Sequence, residues 1–102
     1  MIKLCNVDEV EEGIPLCVEV EDYPKLAVYN INGTFYVTDN LCTHGNALLT
    51  DGFQEGDIIE CPFHGGSFCV KTGKAINLPC EEPLKVYKIH VENGEILLLK
   101  NK

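Results

Sequence analysis

The stretch of the chain that decides its fold covers residues 42–66 and reads CTHGNALLTDGFQEGDIIECPFHGG. It begins with the motif CTH (42–44) and, after sixteen intervening residues, closes with the motif CPFH (61–64) and two glycines. Each motif places a thiolate and an imidazole on one tight turn, and transition metals prefer both kinds of ligand. Glycine follows each histidine, which leaves the backbone free to fold closely around a bound centre. The spacing therefore predicts one metal site held by two loops, with four ligands: Cys42, His44, Cys61 and His64.

Two kinds of metal centre fit this ligand set. Two cysteines and two histidines form a common structural zinc site, and the protein would then be a zinc-stabilised interaction module. Structural zinc sites usually take two cysteines from one loop and two histidines from one helix, whereas here each loop supplies one of each. A binuclear centre explains the alternation better, because one iron can take both thiolates and the other both imidazoles, with two sulfides bridging them. We therefore favour an iron–sulfur cluster and keep zinc as the alternative.

The residues around these ligands resemble a known family, the Rieske iron–sulfur proteins, whose loops read Cys-x-His and Cys-x-x-His around a [2Fe-2S] cluster. Within that family the chain looks like the small ferredoxins of bacterial aromatic ring-hydroxylating dioxygenase systems. The resemblance covers essentially the whole chain, and four stretches carry it: CTHG (42–45), CPFHGGSF (61–68), TGK (72–74) and LPC (78–80). It implies that the two thiolates bind the inner iron and the two imidazoles the outer iron.

The resemblance also implies a function. The ferredoxins of these systems take electrons from an NAD(P)H-dependent flavoprotein reductase and pass them singly to the Rieske centre of a terminal oxygenase. Catalysis within this chain is not expected, because the non-haem iron of an oxygenase needs two further histidines and a carboxylate, and only His90 remains outside the two motifs. The motifs do not separate this role from that of an electron-transfer subunit in another oxidoreductase, such as a nitrite-reductase-like complex.

The composition of the two loops bears on the reduction potential. Two ferric ions, two sulfides and two thiolates sum to zero charge, which places Rieske clusters at roughly −150 to +300 mV against about −400 mV for all-cysteine plant-type ferredoxins. The resemblance implies that high-potential members add a disulfide between the loops, and a serine and a tyrosine that hydrogen-bond to cluster sulfur. The matching positions here are Ala47, Phe63, Gly66 and Phe68. With those groups absent and a net charge of −8, we expect a potential near the bottom of the range.

Alternating hydrophobic and polar residues predict an all-β fold. In the segment 14–20 every second residue is hydrophobic, which is the period of a half-buried strand. Asn32-Gly33 separates two β-rich runs within 25–38, and Asn93-Gly94 separates two more within 87–99. Such dipeptides supply the positive φ of a two-residue hairpin turn. We therefore expect one antiparallel hairpin in each half of the chain.

Between the hairpins the chain changes character. Residues 40–83 hold most of the glycines, three of the five prolines and four of the six cysteines. Short strands fit only 57–61 and 67–70. The remaining loops need a cross-link, such as a bound metal centre, to stay ordered. A short helical turn fits 8–11 near the N-terminus. We expect a single Rieske-type domain over 1–102, with an antiparallel β-sandwich or barrel base (1–39 and 84–102) and a cluster-binding subdomain (about 40–83).

The charge balance bears on partners and location. The chain has 102 residues, with 8 basic against 16 acidic side chains. Such a surface repels phosphate backbones and anionic membranes, so we expect no nucleic-acid and no membrane partner. The acidic residues form a solvated face that could also steer a basic partner protein. The N-terminal residues lack the apolar run of a signal peptide, so we expect a cytoplasmic protein, and we expect it to be a monomer.

The remaining cysteines and the third histidine have simpler interpretations. Six cysteines could form a disulfide scaffold, but the cytosol keeps thiols reduced and the chain has enough Val, Ile and Leu for a core. We therefore expect Cys5, Cys17, Cys69 and Cys80 to be reduced structural thiols. His90 is expected to be a solvated strand residue. Four apolar residues are expected close to the cluster, where they exclude water and form a docking patch: Leu48, Pro62, Phe63 and Pro79.

Overall fold

A computed structural model describes four stretches of the chain, residues 1–43, 47–62, 65–78 and 80–99. These stretches contain strands and two 3-10 turns but no α-helix, which confirms the all-β prediction. None of the described helical turns is long and apolar enough to cross a membrane. The turn predicted at 8–11 is a 3-10 turn at Val7–Glu9, which begins one residue earlier and ends two residues earlier. It begins there because the Glu9 side chain accepts a hydrogen bond from the Asn6 backbone N–H at 2.8 Å, as in a capping box.

The strands form three antiparallel sheets. In chain order they are β1 (Ile2–Asn6), β2 (Leu16–Val18), β3 (Leu26–Ile31), β4 (Thr34–Asp39), β5 (Phe53–Glu55), β6 (Ile58–Glu60), β7 (Ser67–Cys69), β8 (Ala75–Asn77), β9 (Val86–Tyr87), β10 (Ile89–Glu92) and β11 (Glu95–Leu98). The first sheet has the order β1-β11-β10, the second β2-β3-β4-β9, and the third β5-β6-β7-β8. The third sheet lies wholly between residues 53 and 77, in the segment that carries the metal-ligand motifs.

Both predicted hairpins are present with the predicted turns. Asn32 and Gly33 have φ values of 53° and 87°, and Asn93 and Gly94 have 53° and 75°. Positive φ at both central residues is what a type I′ turn requires, and asparagine and glycine tolerate it best. The turns set the register, which pairs Ile31 with Thr34 in the first hairpin and Glu92 with Glu95 in the second.

The strand predicted at 14–20 is shorter than its pattern indicated. Only Leu16–Val18 pairs with β3, and Ile14 is 60 % exposed because a tight turn precedes the strand. Strands β1, β5 and β8 were not predicted. Two of them are three residues long, and three residues are too few to display a period of two.

Strand β3 is buried on both faces and separates two hydrophobic cores. Leu26 and Val28 belong to the base core, between the first two sheets, whereas Ala27, Tyr29 and Ile31 belong to a second core on the opposite face. The Tyr29 hydroxyl bonds to Thr38 Oγ1 at 2.9 Å, so its burial leaves no unpaired polar atom. This second core, called the site core below, also contains Cys42, Ala47, Leu49, Ile59, Cys61, Phe68, Val70, Cys80 and Leu84. The metal-ligand loops are therefore built directly on the central strand of the domain.

Candidate metal centre

The first loop closes immediately after its cysteine. The Cys42 backbone N–H donates to the Ala47 carbonyl at 2.9 Å, and a β-bridge joins the flanking residues Leu41 and Leu48. This hydrogen bond and this bridge form the neck of the loop. Just before the neck, the side chain of the buried Asn40 accepts a hydrogen bond from the Thr50 N–H at 2.9 Å and donates one to Thr50 Oγ1 at 3.0 Å. The neck fixes the position of Cys42 relative to the strands of the domain.

The second loop has the same construction. It connects β6 to β7, and the Cys61 N–H donates to the Gly66 carbonyl at 2.7 Å. The last strand pair before the loop joins Glu60 to Ser67. In both loops the cysteine thus bonds to the carbonyl five residues further along, and each predicted histidine lies between those two residues. This repeated geometry is the structural counterpart of the two motifs found in the sequence.

The two cysteines lie in the interior, while their neighbours reach the surface. Cys42 is 2 % exposed and Cys61 is 1 % exposed, and both side chains belong to the site core. Thr43, which follows Cys42, and Gly65, which precedes the closing residue of the second loop, are exposed. The described part of each loop therefore contains one buried thiol and one exposed residue. The predicted ligands His44 and His64 lie outside the described residues, as do Phe63 and Pro79.

A third segment, which follows β8, contributes a third thiol to the same place. Cys80 is 3 % exposed, and its Sγ lies 3.8 Å from Cys42 Sγ. Thr43 Oγ1 donates to the Glu82 carbonyl at 3.0 Å, which ties this segment to the first loop. Burial, together with the neighbouring Cys42 and Cys61, raises the pKa of the Cys80 thiol to about 12. Cys80 is a reduced thiol, as expected, but its place at the metal-ligand loops was not predicted because no ligand spacing marks it.

The other cysteines and His90 do not belong to the buried site core. Cys5 is buried in the base core and burial raises its pKa to about 11. Cys17 is exposed, contrary to its interpretation as a structural thiol, because it occupies the outer face of β2. Cys69 is half-buried, and hydrogen bonds from Thr72 and the local backbone outweigh burial and lower its pKa. His90 is exposed and its Nε2 lies 3.0 Å from Glu92 Oε1, which confirms its prediction as a solvated residue.

The chemistry of the described donors fits an iron–sulfur cluster. All six cysteines are described and none forms a disulfide, so the scaffold of disulfides weighed from the sequence is wrong. Two buried thiols on separate loops match the soft thiolate ligands that such clusters take. No group of three or more potential ligand side chains is found within the described stretches, which contain neither His44 nor His64. The described part of the chain thus supplies the thiolate half of the predicted ligand set.

Apolar residues flank the loops of the site, and the acidic residues of the chain are mostly exposed. Leu48 and Pro62 are half-buried beside the two necks. Leu41 is 50 % exposed and Leu78 is 75 % exposed, and each immediately flanks a loop of the site. Among the acidic residues expected on a solvated face, Asp57 is half-buried and the others are exposed: Glu19, Glu21, Asp51, Glu55, Glu81 and Glu82.

Comparison with known proteins gives a consistent result. Residues 1–88 match the family model of the Rieske [2Fe-2S] domain. The 3-phenylpropionate/cinnamic acid dioxygenase ferredoxin subunit of Escherichia coli (strain K12) is 44 % identical over 98 residues, which are 95 % of this chain and 91 % of that protein.

Two solved structures are similar over nearly the full length. The Sphingomonas yanoikuyae B1 ferredoxin superposes with a TM-score of 0.96 and 53 % identity, covering 98 % of both chains. The ferredoxin in a complex of reduced oxygenase and oxidized ferredoxin in carbazole 1,9a-dioxygenase has a TM-score of 0.90 and 41 % identity, with 95 % of this chain and 90 % of that chain covered.

Proposed function

Because the chain belongs to the Rieske [2Fe-2S] family, we propose that it is the ferredoxin component of an aromatic ring-hydroxylating dioxygenase system, with Cys42, His44, Cys61 and His64 as cluster ligands. The protein carries a [2Fe-2S] cluster and serves in electron transfer; its homologues are electron-transfer subunits and not catalytic ones. When bound, the cluster takes up and gives back one electron. We also propose the division into a base (1–39 and 84–102) and a cluster-binding subdomain (about 40–83), in a cytoplasmic monomer.

The single observation that carries the ligand assignment is the matched construction of the two loops. Cys42 and Cys61 are both buried, and both are fixed by a backbone hydrogen bond to the residue five positions further on. These two hydrogen bonds position the two thiols at the necks of the loops, and a position restrained by the fold lowers the entropy lost when a ligand is bound. The proposed histidine ligands follow their cysteines by two and three residues in the sequence.

This arrangement favours one side of the site for electron transfer. The site core surrounds the thiolates on the inner side and keeps water away from them. The imidazoles are proposed to bind the outer iron, so that their ring edges face a partner protein. A partner docking there needs a surface that loses its water easily, and the exposed Leu41 and Leu78 provide apolar area beside the loops.

Charge also favours particular partners. Glu81 and Glu82 are exposed directly after Cys80, and the chain carries a net charge of −8. An acidic carrier is steered towards basic docking surfaces, and this attraction weakens as salt is added. We propose two such partners: a flavoprotein reductase that donates electrons and a terminal Rieske oxygenase that accepts them.

A reconstitution tests this function. The chain, loaded with its cluster, is mixed with NADH, a flavoprotein reductase and a terminal oxygenase of the 3-phenylpropionate class, and product formation is measured. We expect turnover only when the chain is present, with at least a tenfold fall in its absence. In a second arm the photoreduced chain is mixed with oxygenase alone in a stopped-flow instrument, and rapid reoxidation is expected. If the chain failed to reduce the oxygenase but delivered electrons to a nitrite reductase, the result would favour its role as an electron-transfer subunit of a nitrite-reductase-like complex.

A further inference from the structure

We propose that the Cys80 thiol donates an S–H···S hydrogen bond to the Cys42 thiolate and thereby raises the reduction potential of the cluster. This inference rests on the proposed function, since it takes Cys42 as a ligand of the cluster. Cys80 itself is not part of the proposed ligand set, and its role is to tune the electronic state of a ligand rather than to bind iron.

The geometry places the Cys42 sulfur within hydrogen-bond reach of the Cys80 thiol. Cys80 Sγ lies 3.8 Å from Cys42 Sγ, within hydrogen-bond reach for a pair of sulfur atoms. A thiolate that binds iron can only accept a hydrogen bond, whereas a thiol outside the ligand set is ordinarily protonated at pH 7 and can donate one. Both side chains are almost fully buried, so water does not compete for either atom.

The fold holds the thiol in this position from two sides. The Cys80 N–H donates to the Asn77 carbonyl at 3.1 Å, and the Asn77 side chain donates to Ser67 Oγ at 3.0 Å. On the other side lies Gly66, where an added Cβ would be 2.4 Å from Cys80 Sγ and 3.1 Å from the Cys80 nitrogen. A side chain at position 66 and the thiol at position 80 therefore exclude each other. The glycine that closes the second loop makes the room in which the thiol contacts Cys42.

The expected effect on the cluster follows from charge. Reduction adds one negative charge to the centre, and part of that charge resides on the thiolate sulfurs. A donor aimed at one of these sulfurs stabilises the reduced state more than the oxidised state, and hydrogen bonds to the sulfurs are one determinant of cluster potential. Gly66 and Phe68, at the positions that the family resemblance matches to the serine and tyrosine of high-potential members, carry no hydroxyl group. A thiol at Cys80 would supply one weak donor in the same neighbourhood.

The test compares three variants by protein-film voltammetry. Cys80→Ala removes the donor, Cys80→Ser keeps a donor of similar size, and Cys5→Ala removes a buried thiol from the base core as a matched control. At a fixed applied potential we expect the ratio of reduced to oxidised Cys80→Ala protein to fall about threefold relative to wild type, which is roughly 28 mV at 59 mV per tenfold change. Cys80→Ser and Cys5→Ala are expected to stay at or above the wild-type ratio.

A vibrational measurement separates tuning from a merely structural role. Resonance Raman spectra in H₂O and D₂O report hydrogen bonds to the cysteine sulfurs, because exchange of the bonding proton for deuterium shifts the iron–sulfur bands. We expect this deuterium shift to be smaller in Cys80→Ala than in wild type and Cys80→Ser. An unchanged midpoint and an unchanged deuterium shift in cluster-loaded Cys80→Ala would overturn the proposal. If that variant fails to take up the cluster, Cys80→Val fills the space without a donor and is measured instead.

A different experimental result would contradict the proposed function. If Cys42→Ser retained a full cluster, the ligand assignment itself would be wrong, whatever Cys80 does. Loss of the cluster from Cys42→Ser, combined with an unchanged potential in Cys80→Ala, would leave the electron-carrier function standing and remove only the tuning role.

Discussion

Substitution of His64 by alanine is expected to remove the cluster and its visible absorption. An iron–sulfur cluster that loses one of its four protein ligands has an open iron that water and oxygen attack, so we expect iron content per chain to fall by more than about tenfold. Outside β5–β8 the described part of the segment 40–83 has little regular secondary structure, and cluster loss should therefore also lower the resistance of this segment to proteolysis. Absorption spectroscopy and iron analysis on the purified variant measure the first effect.

The matched control for this substitution is His90→Ala. His90 is exposed on β10 and contacts only Glu92 among the interactions described for it. We expect the His90 variant to keep the wild-type colour, iron content and thermal stability. Retention of the wild-type spectrum by the His64 variant would refute the assignment of that residue as a ligand.

The second large effect is expected from Gly73→Ala, which is a substitution in the turn between β7 and β8. Gly73 has a φ of +82°, and an added Cβ would lie 2.1 Å from the Leu84 carbonyl oxygen. The Gly73 N–H donates to the Cys69 carbonyl at 2.7 Å, and the Leu84 N–H donates to the Gly73 carbonyl at 2.7 Å. A methyl group cannot fit without breaking this second bond, which holds the segment that follows Cys80. We expect the free energy of unfolding to fall by more than about 3 kcal/mol.

Gly33→Ala separates the cost of the clash from the cost of the backbone conformation. Gly33 has a φ of +87° and no atom lies within 4 Å of an added Cβ. Its substitution should therefore cost only the roughly 1–2 kcal/mol of a left-handed alanine. Denaturant unfolding of both variants, loaded with the cluster, gives the comparison. Equal losses of stability in the two variants would show that the close approach of Gly73 to Leu84 is unimportant.

The sequence predicted the hairpins and the two cysteine loops because local chemistry determines them. Asn32-Gly33 and Asn93-Gly94 adopt positive φ with little cost, and that preference is independent of the rest of the fold. Cys42 and Cys61 were recognised by their spacing to histidine, and the structure places both at matching loop necks. The low reduction potential stays a prediction, since it depends on the cluster and its surroundings rather than on backbone geometry.

The sequence could not predict features that depend on contacts between distant segments. Cys80 follows Cys42 by 38 residues in the sequence. It lies beside Cys42 because of the path that the chain takes after β8, and no residue spacing encodes that path. The exposure of Ile14 has a similar origin, because the hydrophobic pattern continues past the residue at which pairing with β3 begins. Alternation along a strand identifies a face, but the partner strand decides where that strand begins.

The burial of β3 on both faces is another feature that the sequence predicts only in part. Hydrophobic residues on both of its faces predict a central strand but not what covers each face. In the folded chain one face packs in the base core and the other in the site core. The loops that carry Cys42 and Cys61 therefore rest on the most buried strand of the domain, which explains how a loop-rich segment can hold two thiols in fixed positions.

The most direct test of the central claim is the metal and sulfide content of the purified protein, combined with electron paramagnetic resonance after one-electron reduction. We predict about two iron atoms and two acid-labile sulfides per chain, no stoichiometric zinc, and a paramagnetic signal that appears only in the reduced protein. A colourless protein with one zinc per chain and no acid-labile sulfide would contradict the account and support a zinc-stabilised interaction module.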